Sequence, residues 1–358
     1  MNFNDFLQIG VAKGASDLHF LPGMRPLMRL NGSLAEIKEA PVLTPEDTKQ
    51  LLFGIMSPVE QAVFEEKRVC ELSLTVPNIG HFRVSIFHQK NGVAAVLRVI
   101  PEAVPVFESL NLPPVLKTLL GLSHGLILVT GPAGSGKSTS IAGMLNYINQ
   151  YRACHIITIE DPIEFVYENK KSVFNQLQVG RDTPDFAAAL RSSLRQDPNV
   201  INIGELRDLE TMRLALTAAE TGHLVLGTLH ASTAPMAVGR FVDVFPAHEK
   251  AMVRGMLSET LQAIIGQTLV KSNKGGRVAA FEVLMATTAM RHYIRRDMPS
   301  HMDSAMQTGG NVGMCTLEQS LNELIGKNII NQAVAANIIA MRGTFREIQE
   351  SPEGKGKK

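Results

Sequence analysis

The sequence predicts an α/β protein of two domains, and three observations carry that reading. Short apolar runs alternate with helical stretches from residue 126 to residue 228. That alternation is the pattern of a mostly parallel sheet covered on both faces. A glycine-rich loop follows the first of these runs. Four prolines, Pro101, Pro105, Pro113 and Pro114, separate the region from a smaller α+β unit before it. The 358 residues also suit two mid-sized cores at about 150 residues each.

In chain order, residues 3–13 read as a short amphipathic helix stopped at Gly14. Apolar runs follow at Asp17–Leu21 and Pro26–Leu30. Asn31-Gly32 comes next, a hairpin signal because both residues tolerate positive φ. Thr44-Pro45 and Ser57-Pro58 each place a capping side chain before proline at the first helical position. His81–His88 and Val93–Ile100 alternate as two strands around a turn at Asn91-Gly92. The prolines of 101–114 forbid continuous helix or central strand, so the linker belongs there. Strands are expected at Leu126–Thr130, His155–Ile159, Val200–Ile203 and Leu224–Thr228. Helices are expected at Ser138–Ile148 and near Pro184–Leu194, Leu209–Ala219 and Glu249–Ile265. From about residue 287 the pattern is helical, with a capping box at Thr316 and Gln319. The expected partition is a domain at 1–100, a hinge linker at 101–114, a core at 115–286, a helical region at 287–345 and a disordered tail at 346–358.

Composition excludes several classes. The net charge is +1, so no bulk field draws the chain to nucleic acid or anionic lipid. Cys70, Cys154 and Cys315 are odd in number and far apart. They suggest neither a disulfide framework nor a zinc ribbon, and a reducing compartment is the simpler expectation. The N-terminus lacks a signal-peptide layout, and no apolar run approaches the roughly 18 residues of a membrane span.

The loop Gly131-Pro132-Ala133-Gly134-Ser135-Gly136-Lys137-Ser138 fits G-x-x-x-x-G-K-[ST], with a strand before it and a helix after it. Glycines let successive N–H groups turn inward around phosphate oxygens, and the helix N-terminus adds partial positive charge. Lys137 would reach the β- and γ-phosphates, and the Ser138 hydroxyl would bind Mg²⁺. Thr139 completes the binding stretch. Hydrolysis also needs carboxylates for water and metal. Two acidic clusters follow strands: Glu160-Asp161-Pro162-Ile163-Glu164, and Gly204-Glu205. Strand C-termini line the ligand crevice of such a sheet. The second cluster resembles a Walker B strand with Gly204 in the usual Asp place, which leaves Glu205 to carry the Mg²⁺ shell. His223 and His230 flank one strand on opposite faces, so they would not share a metal. His230, at the C-terminal end, is the expected phosphate sensor.

Together the boxes GPAGSGKST, TIEDPIEF, GELRD and TGHLVLGTLHAST resemble the secretion-ATPase superfamily of type II secretion and type IV pili. Within it the chain is similar to the PilT family of pilus retraction ATPases over roughly residues 3–330. ASDLH at 15–19, DLETMRLALTAAETGHLV, DVFPAHEKAMV and MQTGGNVGMCTLEQSL add to that likeness. The resemblance implies a PAS-like N-terminal domain, a RecA-like ATPase domain with a helical C-terminal portion, and a homohexamer. It implies ATP and Mg²⁺ as ligands, Glu164 as the water-activating residue and Glu205 as the Walker B residue. It also implies phosphate-contacting arginines at Arg83, Arg98 and Arg277, and relay arginines at Arg191, Arg195 and Arg240. Domain closure about the proline hinge would be the power stroke. An inner-membrane pilus platform protein would receive it, with a second retraction ATPase as a further partner. The implied location is the cytoplasm, at the inner-membrane face through partners, without insertion.

Two departures bear on the reading. Assembly-type relatives carry a zinc-binding cysteine domain, and the absence of C-x-x-C favours retraction. The family's Ala-Ile-Arg-x-Leu-Ile-Arg helix reads here Ala289-Met290-Arg291-His292-Tyr293-Ile294-Arg295-Arg296. The alternatives are a secretion or accessory pilus ATPase of the same superfamily, and a nucleotide-binding regulator of a partner motor. A DNA-translocating motor lacks the basic stripe and interleaved aromatics it would need.

Overall fold

The computed structural model describes residues 2–30, 32–100 and 103–350, with backbone alone for 342–350. The chain divides into two compact units. The first is Met1–Val104 with Pro162–Val166, and the second is Pro105–Asp161 with Tyr167–Lys358.

The first unit contains α1 (Phe3–Ala12), β1 (Asp17–Phe20), β2 (Leu27–Leu30), β3 (Ser33–Glu36), α2 (Pro45–Phe53), α3 (Pro58–Lys67), β4 (Val69–Val76), β5 (Gly80–Gln89) and β6 (Gly92–Ile100). Its six strands form one antiparallel sheet in the order β3-β2-β1-β6-β5-β4. Side chains alternate along β5: Phe82, Val84 and Ile86 are fully buried, while Arg83 and Ser85 face outward. The inner face joins Phe6, Leu7, Leu18, Phe20 and Leu97 in one apolar core. Asn2, Thr44 and Ser57 close capping boxes on α1, α2 and α3, each satisfying two helix-end N–H groups. Strand β4 escapes a sequence reading because it follows α3 with one residue between. The Asn31 turn position lies outside the described residues, but Leu30 pairs with Ser33 as a hairpin there would require.

The second unit contains α4 (Val115–Leu119), β7 (Gly125–Thr130), α5 (Lys137–Tyr151), β8 (His155–Glu160), β9 (Val173–Gln178), α6 (Phe186–Ser193), β10 (Val200–Ile203), α7 (Leu209–Glu220), β11 (Leu224–Leu229) and α8 (Ala234–Asp243). Then come α9 (Lys250–Thr260), β12 (Leu261–Lys271), β13 (Arg277–Met285), α10 (Thr288–Arg296), α11 (Pro299–Thr308), α12 (Leu317–Gly326) and α13 (Gln332–Glu350). The sheet order is β13-β12-β7-β11-β10-β8-β9, parallel except for the β12–β13 hairpin. Strands β7, β10 and β11 are buried along their whole length, as a sheet covered on both faces requires.

Four expectations change. The helix expected over Glu249–Ile265 stops at Thr260, and Leu261–Lys271 becomes a strand beside β7. The run Leu261-Gln-Ala-Ile-Ile-Gly fits either period, and pairing with β7 decides it. Strands β9 and β13 join the sheet at its two edges without a clear signal in sequence. The linker is shorter than 101–114 on its C-terminal side. Phe107 and Leu112 are buried against Ile141, Leu145 and Ile148 of α5, in the core of the second unit. Pro101 lies outside the described residues. Finally, residues 346–350 continue α13 rather than opening a disordered tail, and the rest of that tail, 351–358, lies outside the described residues.

Candidate nucleotide-binding site

The glycine-rich loop spans residues 131–136 between β7 and α5, with Gly131 at φ 149°, Gly134 at 72° and Gly136 at 87°. At Gly131 the packing, as well as the conformation, demands glycine. A Cβ there would stand 2.4 Å from the Gln267 carbonyl oxygen on β12. The unforeseen strand β12 is thus the floor under the loop. Gly136 is the N-cap of α5, so the first N–H groups of that helix turn toward the loop.

Lys137 is buried, and its ammonium donates to the carbonyls of Gly131 (2.8 Å) and Pro132 (3.0 Å). It also lies 3.5 Å from His230 Nδ1. His230 Nε2 is 3.1 Å from Glu205 Oε1. These partners select one tautomer: Nδ1 accepts from the lysine, and Nε2–H donates to the carboxylate. Arg207 then grips Glu205 from the other side, with Nε 2.6 Å from Oε1 and Nη2 2.6 Å from Oε2. Burial pushes the Glu205 carboxyl up, but Arg207 and His230 outweigh that and hold it below the ordinary glutamate value. The result is a connected row of polar and charged groups, Lys137, His230, Glu205 and Arg207, across the C-terminal ends of three adjacent strands.

Gly204, the departure from the usual Walker B aspartate, has a packing reason. A Cβ at 204 would meet the Ile159 carbonyl oxygen at 3.0 Å and Glu160 Cα at 3.4 Å on the neighbouring β8. His223, at the other end of β11, is bonded through Nδ1 to the Ala218 carbonyl (3.0 Å).

The donor chemistry suits a nucleotide with Mg²⁺. The Ser138 hydroxyl and the Glu205 carboxylate are hard oxygen donors of the kind Mg²⁺ takes in addition to phosphates and water. Ser135 Oγ is buried in the loop without a hydrogen-bond partner, a polar atom that a phosphate oxygen would satisfy. Among the described residues no group of three or more His, Cys, Asp or Glu could hold an ion by itself.

The other candidates lie elsewhere. Arg277 opens β13 opposite Lys271, five register positions beyond the Gly266–Thr130 pair, and so lies toward the loop end of the sheet. Arg191 pairs with Glu210 at an exposed position, an arrangement worth little energetically. Arg240 borders a cavity of about 910 Å³ that also reaches Gly131, Pro132, Met236, Met302 and Met341. Arg83, Arg98 and Glu164 belong to the first unit. Arg83 and Arg98 are direct cross-strand partners, bonded to Glu71 (3.0 Å) and Asp17 (3.1 Å) respectively. Glu164 is exposed between buried Ile163 and Phe165. Arg207 and Gln267 are the site residues that sequence reasoning missed. The GELRD box contains the first, and nothing in sequence marks the second.

Known proteins similar to this chain give its family. The family model for type II/IV secretion system proteins matches residues 3–338. The chain is 50% identical over 332 residues to the type IV pilus retraction ATPase PilT of Pseudomonas aeruginosa, covering 93% of this chain and 96% of that one. It is 46% identical over 306 residues to a twitching motility protein of Neisseria gonorrhoeae, covering 85% and 82%. A crystal structure of the pilus retraction motor PilT with bound ADP superposes with a TM-score of 0.89 at 45% identity, covering 94% of this chain and 97% of that one.

Proposed function

The chain belongs to the type II/IV secretion system protein family, and we propose that within it this protein is an ATP-hydrolysing motor that powers type IV pilus retraction. The observation that carries this is the 50% identity, over 93% of the chain, to a retraction ATPase, and the glycine-rich loop with Lys137 buried against it and Glu205 reached through His230 supports the reading.

Mg²⁺ bound with ATP would supply charge neutralisation for the phosphates. The protein does the positioning. Loop N–H groups and the α5 N-terminus hold the phosphates from Gly131 to Thr139. Lys137 exchanges its carbonyl partners for phosphate oxygens. Ser138 and Glu205 would hold the ion. His230, between Lys137 and Glu205, registers whether the γ-phosphate is present. Glu164 orients the attacking water, and Arg83, Arg98 and Arg277 neutralise phosphate charge. The assignments of Glu164 and these arginines rest on the family resemblance.

The working assembly in this proposal is a homohexamer with the segment around Pro105 as its hinge. It acts on an inner-membrane platform protein, with a second retraction ATPase as a further partner. Among the described residues no helix is long and apolar enough to cross a membrane, so the proposed location at the cytoplasmic face depends on partners. Deletion of the gene tests the function. Excess surface pili with no twitching motility is the expected outcome, and loss of pili would contradict it. On purified protein, Lys137→Ala and Glu164→Gln should abolish Mg²⁺-dependent phosphate release. Retained turnover in the second variant would remove Glu164 from the water-activating role.

A further inference from the structure

We propose that Arg207 is a positioning residue that, with His230, locks the Glu205 carboxylate so that its less crowded lone-pair direction, on Oε2, is left for the Mg²⁺ shell. The inference rests on the reading of Glu205 as a magnesium-shell residue. A carboxylate offers about four acceptor positions. Oε2 accepts from Arg207 Nη2 at 2.6 Å, while Oε1 has two nitrogens against it, Arg207 Nε at 2.6 Å and His230 Nε2 at 3.1 Å, so the less crowded direction is on Oε2. A glutamate so held cannot rotate between rotamers without breaking three contacts.

The backbone around Arg207 is fixed on both sides. Leu206 is buried and its N–H donates to the Thr228 carbonyl (2.9 Å) on β11. Asp208 caps α7, accepting from Thr211 N–H at 2.8 Å. Arg207 therefore reaches from the solvent side, with 65% of its side chain exposed, onto a glutamate that is only 19% exposed. The two parallel contacts use the planar guanidinium fork, and a lysine could supply the charge but not both bonds. Partners of this kind around a metal-shell carboxylate are typically worth about 10–100-fold in metal affinity.

The test is binding of a fluorescent methylanthraniloyl ADP to the full-length protein, in EDTA and across a Mg²⁺ series. Wild-type protein should bind more tightly with Mg²⁺. Arg207→Ala should bind as wild type in EDTA yet require roughly tenfold more Mg²⁺ for the same gain. Arg207→Lys, which keeps the charge and the fold, should also fall well short of wild type. Unchanged Mg²⁺ dependence in Arg207→Ala, or full rescue by Arg207→Lys, would overturn the fork. Wild-type protein that binds no nucleotide in either condition would instead overturn the ATPase reading, and the assignment of Arg207 with it.

Discussion

Arg83 and Arg98 stand directly opposite each other on β5 and β6, and two like charges so placed repel. The repulsion is answered on both sides, by Glu71 for Arg83 and by Asp17 for Arg98. Asp17 is buried and also lies 3.7 Å from Arg29, so one carboxylate anchors two arginines. Asp17→Asn should therefore destabilise the protein by about 1–3 kcal/mol, read from the urea midpoint. An unchanged midpoint would show that the anchor carries no load. The cysteines allow a second expectation at this scale. Burial, with nearby glutamates, pushes the Cys70 and Cys315 thiols above the ordinary value. A raised thiol pKa keeps the unreactive protonated form to higher pH. Native protein at pH 7 should alkylate slowly with iodoacetamide at both residues, and the rate should rise as pH rises. Rapid labelling of either at pH 7 would contradict the burial argument. Much of the residue scale was legible in sequence where chemistry is local. The loop from Gly131 to Ser138 is contiguous and needs no tertiary information. Arg207 was not legible, because its grip on a glutamate two residues earlier depends on the turn between Leu206 and Asp208.

Elements whose ends carry side-chain signals were legible too. The capping residues Thr44, Ser57 and Thr316 begin α2, α3 and α12 as their spacing predicts. Strand β12 was hidden because its apolar run suits a buried helix as well as a buried strand. Its place is settled only by β7 on one side and β13 on the other. That misreading mattered, since β12 carries Gln267 under the nucleotide loop. The crowding at the end of β10 gives the test at this scale. Gly204→Asp would restore the usual Walker B residue but force its Cβ against the β8 backbone. It should cost about 1–3 kcal/mol in thermal unfolding measurements. Stability equal to wild type would mean that the two strands part more easily than their packing implies.

Over the whole molecule, near-neutral net charge conceals a local sorting. Glu205 stands among cationic and polar partners at the strand ends of the second unit, and arginines held by carboxylates stand on the sheet of the first. The two-unit organisation was legible from the prolines and from the change in periodicity. The membership of Pro162–Val166 in the first unit was not, because those residues follow β8 directly in the chain. That segment carries Glu164, so the residue proposed to orient water belongs to the same unit as Arg83 and Arg98.

ATP hydrolysis at the Lys137 site is the step proposed to drive retraction. The most direct measurement is retraction of fluorescently labelled pili in live cells whose only retraction ATPase is the Lys137→Ala variant. The expected outcome is pili that extend and accumulate without retracting, while the wild-type copy restores retraction. Retraction at wild-type frequency in the variant would contradict it.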